Sequence, residues 1–329
     1  MQKVTREILL AKAAELLNAG TVNRVLGWKA GEFTYDVTPA VFTTAAELEK
    51  DFVYGPFSGA NFSKYLVKET RKDEGKILVF LKPCDTYSFN QLLSEHRFDR
   101  EKVYAVGIPC DGMADIQRVK DLAGDGVSSV ECDGDNLIVH TLYDGDKTLA
   151  LADCLAERCV NCKSKKHVAY DELIGESQET YSVDRFDEVR RIEAMSPEEK
   201  FAFFQAELSK CIRCNACRNV CPACNCRKCV FDGNKFDSAQ KANVDSFEEK
   251  MFHIIRAFHV AGRCTDCGEC SRVCPQGIPL HLFNRKFIKD INTLYGEYQA
   301  GADPEARGPL TSFTTEDAEP SVVSHGGIV

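Results

Sequence analysis

Nowhere in the 329 residues do 18 apolar positions run together, so no segment is expected to cross a bilayer unaided. The opening residues, Met1 to Glu7, are polar and lead into a helical pattern without an apolar leader or cleavage site. That sets aside a secreted, disulfide-stapled chain and makes the cytoplasm the expected location. Positive charge is in deficit. Lys and Arg number 41 against 50 Asp and Glu, a formal net charge of -9, whereas a phosphate backbone calls for a basic surface. Nucleic acid is therefore not an expected partner. The 7 histidines fall into no Ser/His/Asp or zinc-protease spacing, and no carboxylate pair stands out as general acid and base. No Gly-x-Gly-x-x-Gly turn follows a strand, and Tyr54-Gly55-Pro56-Phe57-Ser58-Gly59 is only a glycine-containing loop. Tryptophan occurs once, yet cysteine occurs 17 times, and in a reducing compartment thiols at that density are metal ligands.

The patterning predicts an α/β N-terminal domain over 1–180, then a C-terminal α+β, ferredoxin-like dicluster domain rich in helix over 181–300. A flexible or partner-bound tail is expected over 301–329, where Gly, Pro, Ser, Thr and Glu accumulate without periodicity. Residues 4–18 repeat apolar positions at helical spacing, and runs at 76–81, 103–108 and 136–143 read as strands. The first two runs end in the same text, Pro83-Cys84-Asp85 and Pro109-Cys110-Asp111. Proline stops a strand and Asp favours a helix start, so each Cys is expected at the C-terminal edge of an open sheet, where such sheets place ligands. Ser196-Pro197-Glu198-Glu199 is a capping box with Pro in the first turn, and the helix it starts, 197–209, delivers the chain into the main cysteine cluster.

Cys211, Cys214, Cys217 and Cys221-Pro222 follow C-x2-C-x2-C-x3-C-P, and Cys264, Cys267, Cys270 and Cys274-Pro275 repeat it. In the bacterial two-cluster arrangement three thiolates of each run hold one cube and the fourth reaches across to the other. Cluster one is thus assigned to Cys211, Cys214, Cys217 and Cys274, and cluster two to Cys264, Cys267, Cys270 and Cys221. Zinc also takes thiolates, but neither the crossed fourth ligand nor the trailing proline is a zinc requirement.

Nine further cysteines are candidate ligands. Cys154, Cys159 and Cys162 precede a basic stretch, and Cys224, Cys226 and Cys229 follow the first motif directly. One division gives Cys110 to the first trio and Cys84 or Cys132 to the second, making one or two additional [4Fe-4S] clusters. A single mixed site, or a zinc ion stapling the insertion to the N-terminal domain, are the other readings.

Gly107-Ile108-Pro109-Cys110, Cys159-x2-Cys162 and Asp171-Glu172-Leu173-Ile174-Gly175 resemble the central domain of coenzyme F420-reducing hydrogenase and dehydrogenase beta subunits. Lys82-Pro83-Cys84-Asp85 is similar to a segment of sulfhydrogenase and anaerobic sulfite reductase beta subunits. With the motif at 211–222, the chain resembles iron–sulfur subunits of heterodisulfide reductase-like, formate dehydrogenase and hydrogenase complexes of anaerobes, over roughly residues 75 to 295. The resemblance implies an electron-transfer subunit, not itself catalytic, between a hydrogenase- or formate dehydrogenase-type partner and a flavin or heterodisulfide reductase-like partner. It also implies FAD or FMN in some members, for which no residue can be carried over here. A flavin- or cluster-containing catalytic subunit acting on a hydride donor or disulfide, and a zinc-stapled scaffold, stand as alternatives.

Overall fold

The computed structural model describes residues 4–72, 74–163, 166–177, 183–232 and 247–312. Its centre is a five-stranded sheet in the order β2-β1-β3-β4-β8. Strand β1 (Arg24–Ala30) pairs antiparallel with β2 (Val37–Phe42), while β1, β3 (Ile77–Leu81), β4 (Val103–Gly107) and β8 (Glu172–Leu173) run parallel. Every residue of β3 is buried, as a central parallel strand covered on both faces requires. Helices α1 (Arg6–Asn18), α2 (Ala45–Asp51), α3 (Ser63–Glu69) and α4 (Pro83–Ser94) surround this sheet, with Leu9, Ala13 and Leu16 of α1 in the core beside Trp28 and Phe80.

The strand expected at 136–143 forms, but in a separate antiparallel sheet of β5 (Val127–Asp133), β6 (Asn136–Thr141) and β7 (Lys147–Ala150). The two-residue connection Gly134-Asp135, with Gly134 at φ 60°, pairs β6 with β5 rather than with the main sheet. Helix α5 (Ile116–Ala123) packs on this sheet through Val119 and Ala123.

Beyond β8 the described residues hold helices and no strand: α7 (Asp187–Glu193), α8 (Pro197–Ser209), α9 (Ala216–Val220), α10 (Phe247–Val260), α11 (Glu269–Arg272) and α12 (His281–Tyr295), with the short α6 (Glu157–Val160) before β8. The β component expected of an α+β, ferredoxin-like module is thus not found among the described residues. Each cysteine loop winds straight into a short helix, leaving no extended segment to pair. The capping box at Ser196 and Glu199 forms in both directions.

The start of the expected tail is packed. Gly301 is at φ 75°, and a Cβ there would lie 1.9 Å from the Tyr87 carbonyl oxygen, so the backbones touch. Residues 313–329 lie outside the described residues. No helix among the described residues is long and apolar enough to cross a membrane.

Candidate iron–sulfur sites

The two cysteine motifs are conformational copies. Arg213 and Asn215 in the first have φ of 54° and 60°, and Asp266 and Gly268, at the equivalent places in the second, have 61° and 67°. Left-handed residues on either side of the second cysteine turn successive backbone N–H groups inward, a concavity suited to an anionic cluster. Three of the four positions are not glycine, so about 1 kcal/mol of backbone strain at each is held by the surroundings. Both motifs close alike, with Cys224 N–H donating to the Cys221 carbonyl and Gly277 N–H to that of Cys274, each at 3.1 Å with Pro second in the turn.

Cys211, Cys214, Cys217 and Cys274 line one small cavity, together with Phe252, His253 and Ile278. Burial pushes the Cys217 thiol up to about 12, Arg256 opposes this, and Cys270, Cys211 and Cys274 reinforce it. Leu208, Phe252 and Leu280 make the surrounding core, with Phe231 packed edge-on to Phe252 at 4.7 Å. His253 Nε2 lies 3.2 Å from Cys211 Sγ, and burial lowers its imidazole to about 3, so the ring is neutral and can donate to a thiolate.

Cys221 is remote in sequence from the second motif yet lies within its field. Cys264, Cys267 and Cys270 are all held up by burial, and the Cys221 charge acts on each. A hydrogen bond from Cys224 is the main cause that lowers the Cys221 thiol below its ordinary range. Thiols crowded in a dry interior resist ionising one beside another. Bound iron reverses that balance, because a coordinating thiol gives up its proton.

A second small cavity is lined by Cys84, Cys110, Cys159 and Cys162, with Lys82, Arg158, Asp266 and Cys267 in the wall. The twin motifs place each Cys at a strand's C-terminal edge, and because β3 and β4 are adjacent and parallel, Cys84 and Cys110 share one edge instead of dividing between the two trios. Lys82 is buried at this edge, paired at 2.8 Å with Asp85 and donating to the Ala60 carbonyl at 2.9 Å. Burial pulls its ammonium down, but the Asp85 and Cys84 charges more than compensate. Only the first Pro-Cys-Asp opens a helix directly: Asp111 is exposed, and α5 takes Asp115 as its cap.

The remaining cysteines divide differently from expectation. Cys154 does not join Cys159 and Cys162; it is 0% exposed in the core of the small sheet, because a 3-10 turn at Leu151–Cys154 points it toward Val119 and Leu137. Cys132 is exposed on β5 and sits in register with Leu137. Cys84 groups with Cys110, so neither it nor Cys132 lies with Cys224, Cys226 and Cys229, which line a third cavity. No disulfide joins the 17 cysteines, and among the described residues no three His, Cys, Asp or Glu side chains converge as one ion demands. The sulfurs ring cavities instead, a spacing suited to polynuclear clusters.

Sequence reasoning did not reach the charged groups between the sites. Arg158, beside Cys159, donates to Glu269 at 2.6 Å, to the Cys267 carbonyl at 2.7 Å and to the Gly59 carbonyl at 3.0 Å. Glu269 is held at about 2 by Arg272 and Arg158 against its burial. The only sign of Arg158 in the sequence is its place next to a candidate ligand.

Residues 207–278 match the model of the 4Fe-4S dicluster domain. The F420-dependent formate dehydrogenase subunit beta of Methanocaldococcus jannaschii is 24% identical, the match covering 85% of this chain and 88% of that protein. The F420-dependent formate dehydrogenase 1 subunit beta of Methanococcus maripaludis is 26% identical over 88% of this chain and 89% of that protein. A chain of the F420-reducing [NiFe] hydrogenase complex from Methanosarcina barkeri is 18% identical with a TM-score of 0.37, over 49% of this chain and 60% of its own, less than two thirds of its length. The chain is thus similar over most of its length to F420-dependent formate dehydrogenase beta subunits, and residues 207–278 carry the 4Fe-4S dicluster domain.

Proposed function

We propose that the chain relays single electrons within a multisubunit oxidoreductase, between a formate dehydrogenase- or hydrogenase-type subunit and a flavin-bearing or heterodisulfide reductase-like subunit. Cluster one is held by Cys211, Cys214, Cys217 and Cys274, cluster two by Cys264, Cys267, Cys270 and Cys221, and a third by Cys84, Cys110, Cys159 and Cys162. The α/β unit over 1–180 carries the third cluster, the unit over 181–300 carries the ferredoxin pair, and 301–329 follows as a tail whose first residues are anchored.

One observation carries this reading. Cys267 belongs to the second motif and also lies in the wall of the cavity ringed by Cys84, Cys110, Cys159 and Cys162. Clusters two and three are then neighbours, cluster one is coupled to cluster two through the crossed cysteines, and the exposed Cys214 brings the far end of the row to the surface. A cube accepts one electron, so a two-electron donor such as hydrogen, formate or a reduced flavin is handled in a neighbouring subunit.

The test is iron and acid-labile sulfide per chain, with EPR of the dithionite-reduced protein, all prepared anaerobically. Replacing Cys159 and Cys162 together by Ser is expected to remove about four irons while the ferredoxin pair remains. Unchanged iron in that variant would overturn the third site, and protein free of labile sulfide would overturn the relay. Flavin released on denaturation is measured in the same sample.

A further inference from the structure

Cys224, Cys226 and Cys229 line a cavity of about 1080 Å³, open in part to solvent, whose other walls include Lys64, Arg218, Arg256 and Arg263. We propose that these three thiolates hold a separate iron–sulfur cluster whose fourth iron position faces this cavity and takes a small soft anion from solution. The inference goes beyond the relay and uses different residues.

Three observations support it. The first is the missing fourth thiol. Cys84 is committed to the other cavity, Cys132 lies on the small sheet, and Cys221 acts electrostatically on Cys264, Cys267 and Cys270. Three sulfurs on so short a loop suit three corners of a cube and leave one iron for another ligand.

The second is Arg256. It is 2% exposed, faces this cavity, and has no hydrogen-bond partner at Nε or Nη1. A buried guanidinium with idle donors is costly unless an anion accepts from them. Its charge already acts on Cys217, Cys221 and Cys270 of the ferredoxin pair and on Cys224 of this cavity, so it stands between the two.

The third is the sign of the walls. Lys64 donates to the Cys224 carbonyl, and Arg218 and Arg263 are paired with Asp232 at 2.7 Å and Glu95 at 2.6 Å. Two of these four cations are matched by carboxylates, while Lys64, and Arg256 through the Nε and Nη1 that its bond to Cys270 leaves idle, favour an anion. Iron in a thiolate cluster prefers a soft donor atom. Among the described residues lining the cavity, His259 and Asp232 are the rivals for the fourth position, and Asp232 is already paired with Arg218.

Anaerobically isolated full-length protein is expected to hold about sixteen irons per chain, and the variant with both Cys226→Ser and Cys229→Ser about twelve. Cys226 is exposed and Cys229 half-buried, so serine fits both without disturbing a core. Cyanide is the probe for the open iron. It is expected to shift the EPR signal of one cluster in the wild type and in His259→Ala, and to leave the double serine variant unchanged. About twelve irons in the wild type, zinc in place of iron, a cluster blind to cyanide, or loss of the cluster in His259→Ala would each overturn the proposal. Should the double variant not fold, the wild-type iron count and its cyanide response decide alone. Loss of iron on changing Cys159 and Cys162, with no change on altering Cys226 and Cys229, separates failure here from failure of the relay.

Discussion

Replacing Arg158 by Met removes the guanidinium that joins the sheet edge to the second cysteine loop while keeping much of the side-chain volume. Arg158 serves three acceptors, the carbonyls of Gly59 and Cys267 and the Glu269 carboxylate, at 2.6 to 3.0 Å. Hydrogen bonds to a charged group contribute about 1.5–3 kcal/mol each, which sets a gross loss near the top of the range for a broken buried pair. Two features reduce it. Arg272 keeps a two-point hold on Glu269 at 2.7 and 2.8 Å, and Arg158 Nε has no partner, so part of its desolvation is relieved on removal. The net expectation is about 3 kcal/mol, on the order of 150-fold in the folding equilibrium. With a urea slope of about 3 kcal/mol per molar, the midpoint falls by roughly 1 M, read by far-UV ellipticity in anaerobic samples of equal iron content. Arg158→Lys keeps the charge but cannot span the Gly59 and Cys267 carbonyls, and is expected to fall between. If Arg158→Met unfolds within about 0.5 kcal/mol of the wild type, the contact is incidental and the argument that it locks the two halves together is wrong.

Lys82→Met leaves Asp85 buried without its cation, an expected loss of about 3 kcal/mol that Lys82→Met combined with Asp85→Asn largely restores. Equal thermal midpoints for all three proteins would show that this pair does not matter to the sheet edge. Cys154→Ala should lower stability by about 1 kcal/mol through lost packing and leave the iron content untouched. A drop of several irons would return Cys154 to the ligand set.

What could be read from the sequence was what is encoded locally. Ser196, Pro197 and Glu199 specify a helix start within four residues, and the helix begins there. The two C-x2-C-x2-C-x3-C-P loops are equally local, and they share left-handed φ at equivalent positions. The grouping of the other thiols is not local. Cys84 and Cys110 come together because β3 and β4 are parallel neighbours, and no residue near either one announces which strands will be adjacent. Cys154 shares a spacing pattern with Cys159 and Cys162, but a tight turn directs its sulfur into a different core. The absence of strands in the described C-terminal half was equally hidden. Cysteine spacing specifies the loop around a cluster and says nothing of the element that the loop enters.

The contacts between the halves show why the proposed relay would need both. Arg263, next to Cys264, grips Glu95 at the end of α4 through two nitrogens at 2.6 and 2.7 Å, and Thr265 shares a 2.8 Å hydrogen bond with Ser88 inside the same helix. Helix α4 begins at Pro83 and Cys84, so one rigid element carries a proposed ligand of the third site at its first turn and anchors the second cysteine loop along its length. Gly268 is part of the same clamp. A Cβ there would sit 2.5 Å from Arg158, so the loop can be left-handed and close to Arg158 only as glycine. Electron transfer between cubes falls steeply with separation, and a helix shared by two sites fixes that separation more firmly than a flexible linker. On the proposed assignment the α/β half would contribute more than a further cluster: it would hold the second and third cubes in register, with the buried charge between them as the means.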